Sequence, residues 1–210
     1  MITIEQARQF YEGADPTHDF DHVLRVTAMA ERIAALEGAD PAIVRAAALL
    51  HDISRLDDTG LLLHADPETD HAVLAARAVR KLLADEPPAF VNAVAHCIEA
   101  HRYRNAIEPT TIEAKTLFDA DKLDSIGAIG VARAFAYAGT LGNPLWGDIP
   151  EGYTPEKRDK THTPRHEFEI KLKHIKDHLY TTSGQRIAEE RHAFMVSFFE
   201  RMAAEVQGQR

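Results

Sequence analysis

Residues 47–58 read AALLHDISRLDD. Their first half continues a segment, PAIVRAAALLHDI (41–53), that is apolar around most of its circumference, the mark of a central, buried helix. Asp40-Pro41 starts it, the aspartate as N-cap and the proline as first helical residue. The helix then ends on an imidazole beside a carboxylate, His51-Asp52. Either the pair meets solvent where the helix exits, or both side chains hold a metal ion. The dipeptide alone does not decide. With 12 His and 16 Asp in 210 residues, about one such pair arises by chance, and His18-Asp19 is a second instance.

Outward from this helix the periodicity stays helical, and the predicted fold class is all-α. ITIEQARQFYE is a short opening helix. DFDHVLRVTAMAERIAALEGAD is a long one, with Val23, Val26, Ala30, Ile33 and Ala34 at three- and four-residue steps and Gly38 closing it. TDHAVLAARAVRKLLADE follows, stopped by Pro87-Pro88, and then AFVNAVAHCIEAHRYR. TIEAKTLFDADKLDSIGAIGVARAFAYAG reads as a helix through Asp121 and a second in which Gly127 and Gly130 allow close backbone packing. Two helices finish the chain, lined by Phe168, Leu172, Ile175 and Leu179 and by Ile187, Phe194, Met195, Phe198 and Met202. Between them and the earlier helices lies an aperiodic stretch rich in Pro and Gly, about 139–165. Its length and its Trp146 and Tyr153 point to an ordered loop bordering a substrate pocket, where an aromatic could stack on a base.

Length and composition predict a single domain over 1–210, large enough to bury a core unaided. One cysteine, Cys97, excludes an internal disulfide, and its apolar helix predicts a buried structural thiol. The start, MITIEQARQF, has no uninterrupted apolar core of a signal peptide, and no run is long enough to span a membrane. A cytoplasmic location is expected. The net charge of −9 argues against capture of duplex nucleic acid or of an anionic membrane. No glycine-rich phosphate loop and no G-x-S-x-G elbow is present.

Four positions stand out for chemistry: His22, His51, Asp52 and Asp121. Each lies in or beside an apolar segment, where a carboxylate costs several kcal/mol unless paired or bound to a metal. Two neutral imidazoles and two carboxylates neutralise a divalent cation and suit an octahedral ion with roughly two positions open. Asp119 and Asp124 compete with Asp121: Asp124 as a group supporting the site or as N-cap of the next helix, Asp119 as a solvated or paired carboxylate.

HDFDHVLRV, AALLHDI, DADKLDSIGAIGVARAFAYAG and KLKHIKDHLYTTSGQRIAEERHAFM together resemble the HD-domain metal-dependent phosphohydrolases. Along nearly the whole chain they resemble one bacterial subfamily, some members of which act as nucleoside triphosphate pyrophosphohydrolases. The resemblance implies the HD-domain helical fold and a divalent ion (Mn, Ni, Co, Fe, Zn or Mg) held by His22, His51, Asp52 and Asp121. His51 and Asp52 then carry catalysis. A metal-activated water would cleave a (deoxy)nucleoside triphosphate to monophosphate and pyrophosphate. Two alternatives stand beside it: a nucleotide monophosphatase or phosphodiesterase on the same site, and a non-catalytic nucleotide- or metal-sensing module. Substrate contacts are expected from Arg25, Arg55, His101, Arg102, Arg104 and Lys122, with HRYR (101–104) as a phosphate-contacting corner. The bland reading of that corner is a solvated helix end whose cations favour the macrodipole. A single metal is expected, with His71, His96 and His101 unligated. A homodimer stays open.

Overall fold

The computed structural model describes residues 2–11, 20–53, 70–103, 107–154 and 160–209. Arg55, Arg104 and the His18-Asp19 pair lie outside them. Among the described residues the regular elements are helices, and none is long and apolar enough to cross a membrane. The chain divides into two compact units: Met1–Asp121 with Tyr180–Gly184, and Lys122–Leu179 with Gln185–Arg210.

In the first unit, α1 (Ile4–Gln9) opens on a Thr3–Gln6 capping box. α2 (Phe20–Glu37) carries its apolar stripe on Val23, Val26, Ala30, Ile33 and Ala34, all buried. α3 (Pro41–Leu50) begins as predicted, with the Asp40 carboxylate accepting the Ala42 N–H at 2.8 Å. Val44 and Ala46 through Leu50 are all buried, and α3 packs against both α2 and α5. Its run of alanines lets those neighbours approach closely. α4 (His71–Leu82), capped by Asp70, packs on α5 (Pro88–Glu99). Pro88 is the first residue of α5 rather than part of a stop, since a proline at that position forfeits no helical hydrogen bond. Cys97 is wholly buried, and burial pushes its thiol pKa up.

α6 (Ile112–Asp124) runs three residues past Asp121. It anchors the detached segment Tyr180–Gly184 through Asp119, which is fully buried. Asp119 Oδ1 accepts the Tyr180 N–H at 2.9 Å, and Oδ2 accepts the Thr181 N–H and hydroxyl at 2.7 and 2.6 Å. Burial raises the Asp119 pKa, and these donors work against that rise. A Cβ on Gly184 would collide with this carboxylate and with the Thr181 hydroxyl, so only glycine fits. Of the two readings of Asp119, paired is correct.

In the second unit, α7 spans Gly127–Thr140, α8 spans Pro164–Ile170, and α9 (Thr182–Val206) belongs to it from Gln185 onward. Gly130 faces the Ser125 carbonyl, with no room for a side chain, which accounts for one of the two glycines. Asp124 does not cap α7, whose N-cap is Ile126; it is buried and takes Arg133 Nη1 at 2.9 Å instead. The helix expected through Phe168–Leu179 divides into α8 and a 3-10 stretch, Leu172–His178, because Lys171 leaves the helical backbone region at φ −138°, ψ −60°. On α9, Phe199 is buried and stacks on Phe168 at 4.5 Å, whereas Phe194 is exposed.

The loop between α7 and α8 occupies its own aromatics. The Arg165 guanidinium lies 4.7 Å over the Trp146 ring. Tyr153 donates its hydroxyl to His162 Nδ1 at 2.6 Å, while His162 Nε2 faces Glu167 at 3.1 Å.

Candidate metal centre

Helix ends leave carbonyls without partners, and one of them sets the state of His51. His51 is the C-cap of α3, and its Nδ1 lies 2.8 Å from the Ala48 carbonyl. A carbonyl only accepts, so Nδ1 carries the proton and Nε2 carries a lone pair. His51 is 1% exposed, and among the described residues its Nε2 has no hydrogen-bond partner. Burial lowers its pKa to about 4, the largest influence on it, against the opposing pull of Asp52. The ring is therefore a neutral donor at physiological pH, aimed into a buried space.

Three further side chains converge there. α2 packs on α3 and brings His22, also buried, to a ring-centroid distance of 5.4 Å from His51. Asp52 Oδ2 lies 3.6 Å from His51 Nε2 and 4.0 Å from His22 Nε2. Asp121 on α6 places Oδ1 3.5 Å from His22 Nε2. These separations are long for hydrogen bonds. They match donors around one ion, which at metal–ligand distances near 2.1 Å stand about 3–4 Å apart. One ligand atom each from His22, His51 and Asp52 falls within a mutual 4.8 Å. The negative end of the α3 dipole also favours a cation at this position. The orphaned His51 nitrogen and the paired carboxylates fit a divalent metal.

His101, expected as a substrate contact and not as a ligand, stands beside the cluster. It follows the end of α5 as His51 follows the end of α3, and its Nδ1 lies 2.6 Å from the Ile98 carbonyl. The Nε2 lone pair is thereby turned to Asp52 Oδ1, 3.7 Å away, and the ring centroid stands 5.2 Å from that of His51. The signal was present as a second apolar helix ending on histidine, AHCIEAH. His96 instead accepts from Thr110 at Nε2, and His71 is exposed at the start of α4.

Of the HRYR corner, the first three residues lie among the described ones and Arg104 does not. His101 is buried, Arg102 is paired to Asp70 at 2.8 Å, and Tyr103 is exposed. Arg25, one turn after His22, and Lys122, next to Asp121, are half-buried.

The HD domain family model matches residues 19–126, just over half of the chain. Bacillus subtilis YpgQ, described as an uncharacterized protein, is 38% identical over 197 residues, 91% of this chain and 85% of that protein. The crystal structure of Bacillus subtilis YpgQ in complex with ADP superposes with a TM-score of 0.74 at 30% identity, covering 99% of this chain and 100% of the other. A crystal structure described as an HD-superfamily hydrolase, from Bacillus thuringiensis, gives a TM-score of 0.74 at 29% identity over 98% and 95% of the two chains. With this match lying over the helices that carry the histidine–aspartate cluster, the chain belongs to the HD domain family and is a metal-dependent phosphohydrolase.

Proposed function

We propose that this enzyme hydrolyses nucleoside triphosphates to monophosphate and pyrophosphate, with a divalent ion held by His22, His51, Asp52 and Asp121. The observation that carries the nucleotide is the full-length likeness to YpgQ, which was crystallised with ADP. When bound, the ion supplies Lewis acidity toward a phosphate oxygen and lowers the pKa of a water toward neutrality.

The chain's own groups divide the remaining work. His51 offers Nε2 without first losing a proton, because burial already keeps the ring neutral. Asp52 faces three histidines, Oδ2 toward His22 and His51 and Oδ1 toward His101. His101 Nε2, beside that oxygen, is placed to take a proton from an attacking water and to share it with the carboxylate. Arg25 and Lys122, neighbours in sequence of His22 and Asp121, are the cations proposed for the non-reacting phosphates.

The test is a screen of the chelator-stripped enzyme with nucleoside mono-, di- and triphosphates, reloaded with one metal at a time. Pyrophosphate release from triphosphates supports the reading. Orthophosphate released from monophosphates would replace it with a monophosphatase. A second reading, a two-metal phosphodiesterase, has one specific observation in its favour, the fifth donor His101 beside Asp52. Metal content separates them: one ion per chain favours the first, and two bound ions favour the second.

A further inference from the structure

We propose that Tyr103 and Tyr180 form a platform on which the base of the nucleotide stacks, an inference that rests on the nucleotide reading above. Among the described residues of the first unit, the exposed large hydrophobic side chains are Leu36, Tyr103 and Tyr180. Both tyrosines lean on one buried ring. The Tyr103 and Phe118 centroids are 5.8 Å apart at 34°, and those of Phe118 and Tyr180 are 5.0 Å apart at 82°. Two wet aromatics sharing one support are not scattered surface residues.

Their place in the chain ties them to the metal centre. Phe118 precedes Asp121 by three residues on α6, so the two lie near one helical face, about 4.5 Å apart along the axis. Tyr103 comes two residues after His101, whose Nε2 faces Asp52. Tyr180 is fixed by its own N–H on Asp119 Oδ1 at 2.9 Å, and the Asp119 carboxylate is buried and further held by Thr181. The platform is thus held at both ends by the elements that carry site residues. Rigid aromatic faces partly open to water suit a flat π system, and such stacking tolerates any base. The loop aromatics favoured by the sequence are less suited, since Arg165 covers Trp146 and Tyr153 is engaged with His162.

The experiment is calorimetric titration of the manganese-loaded protein with ADP and, separately, with inorganic pyrophosphate, which has no base. Tyr103→Ala and Tyr180→Ala should each weaken ADP about 5- to 150-fold relative to pyrophosphate, the span that base–aromatic stacking supplies. Tyr103→Phe and Tyr180→Phe should restore ADP affinity, because the ring and not the hydroxyl does the stacking. Equal weakening of ADP and pyrophosphate would overturn the platform, as would a lower melting temperature with ADP affinity unmoved. Loss of a dimer with binding unchanged would also overturn it and assign the patch to a second copy of the chain. If the unaltered protein binds pyrophosphate but not ADP, the nucleotide reading itself falls, and the platform with it. If it binds ADP and the alanine variants bind it equally well, only the platform falls.

Discussion

At the scale of single residues, two aspartates in DADKLD have opposite fates. Asp121 reaches His22, and Asp119 turns to three donors of the Tyr180-Thr181 segment. Asp121→Ala should therefore abolish stoichiometric metal binding with little loss of fold. Asp119→Ala should retain the metal and lose about 3 kcal/mol or more, since buried donors are left unsatisfied. Elemental analysis beside denaturant melts checks both, and a swap of the two phenotypes would reverse the ligand assignment. His51 gives a pH signature in the metal-free protein. Burial takes its folded-state pKa to about 4, below the ordinary imidazole value of 6.5. Between those values the unfolded chain binds more protons, so stability is full above about pH 6.5 and is lost as pH falls toward 4. The loss should approach about 3 kcal/mol. Urea titrations of chelator-treated protein at pH 7.5 and pH 5 should show the difference, and His51→Asn should shrink it.

At the scale of elements, what local pattern determines was readable and what distant partners determine was not. α3 was legible because an all-round apolar run with Asp-Pro at its start has one stable outcome, a capped and buried helix. The convergence of His22, His51, Asp52 and Asp121 was legible because polar groups on such helices need a reason to be there. The division at Lys171 was not, since apolar residues three and four apart fit a 3-10 turn as well as an α-helix over so short a span. Nor was the burial of Phe199 with Phe194 left exposed, which depends on where Phe168 stacks. Asp119 was ambiguous for the same reason: its donors lie 61 and 62 residues along the chain. Gly184 is the sharp test of that clamp. Gly184→Ala should cost as much as losing Asp119 itself, because the added methyl drives into the carboxylate and the Thr181 hydroxyl. A thermal shift of only a degree or two would show that the clamp yields readily.

At the scale of the molecule, the sequence predicts one domain, and we propose that the chain unfolds as one. α6 and α9 each run unbroken through a unit boundary, at Asp121–Lys122 and Gly184–Gln185, so neither unit can melt without fraying a helix that continues into the other. Far-ultraviolet dichroism and intrinsic fluorescence should report one coincident transition. Two separated transitions would instead define independent folding bodies.

The Asp119 clamp also orders events during synthesis. Every proposed metal ligand has been synthesised once α6 is complete, yet the segment that satisfies Asp119 follows some sixty residues later. Until then the nascent chain holds a carboxylate with no donors to justify its burial, and it must stay hydrated or draw on borrowed partners. The stretch matched by the family model is therefore expected not to fold autonomously in this protein. A fragment ending at residue 126 would contain all four proposed ligands and still lack the keystone, and it should fail to give a protease-resistant, metal-loaded species on its own. Supplying Tyr180–Gly184 within a longer chain should restore it.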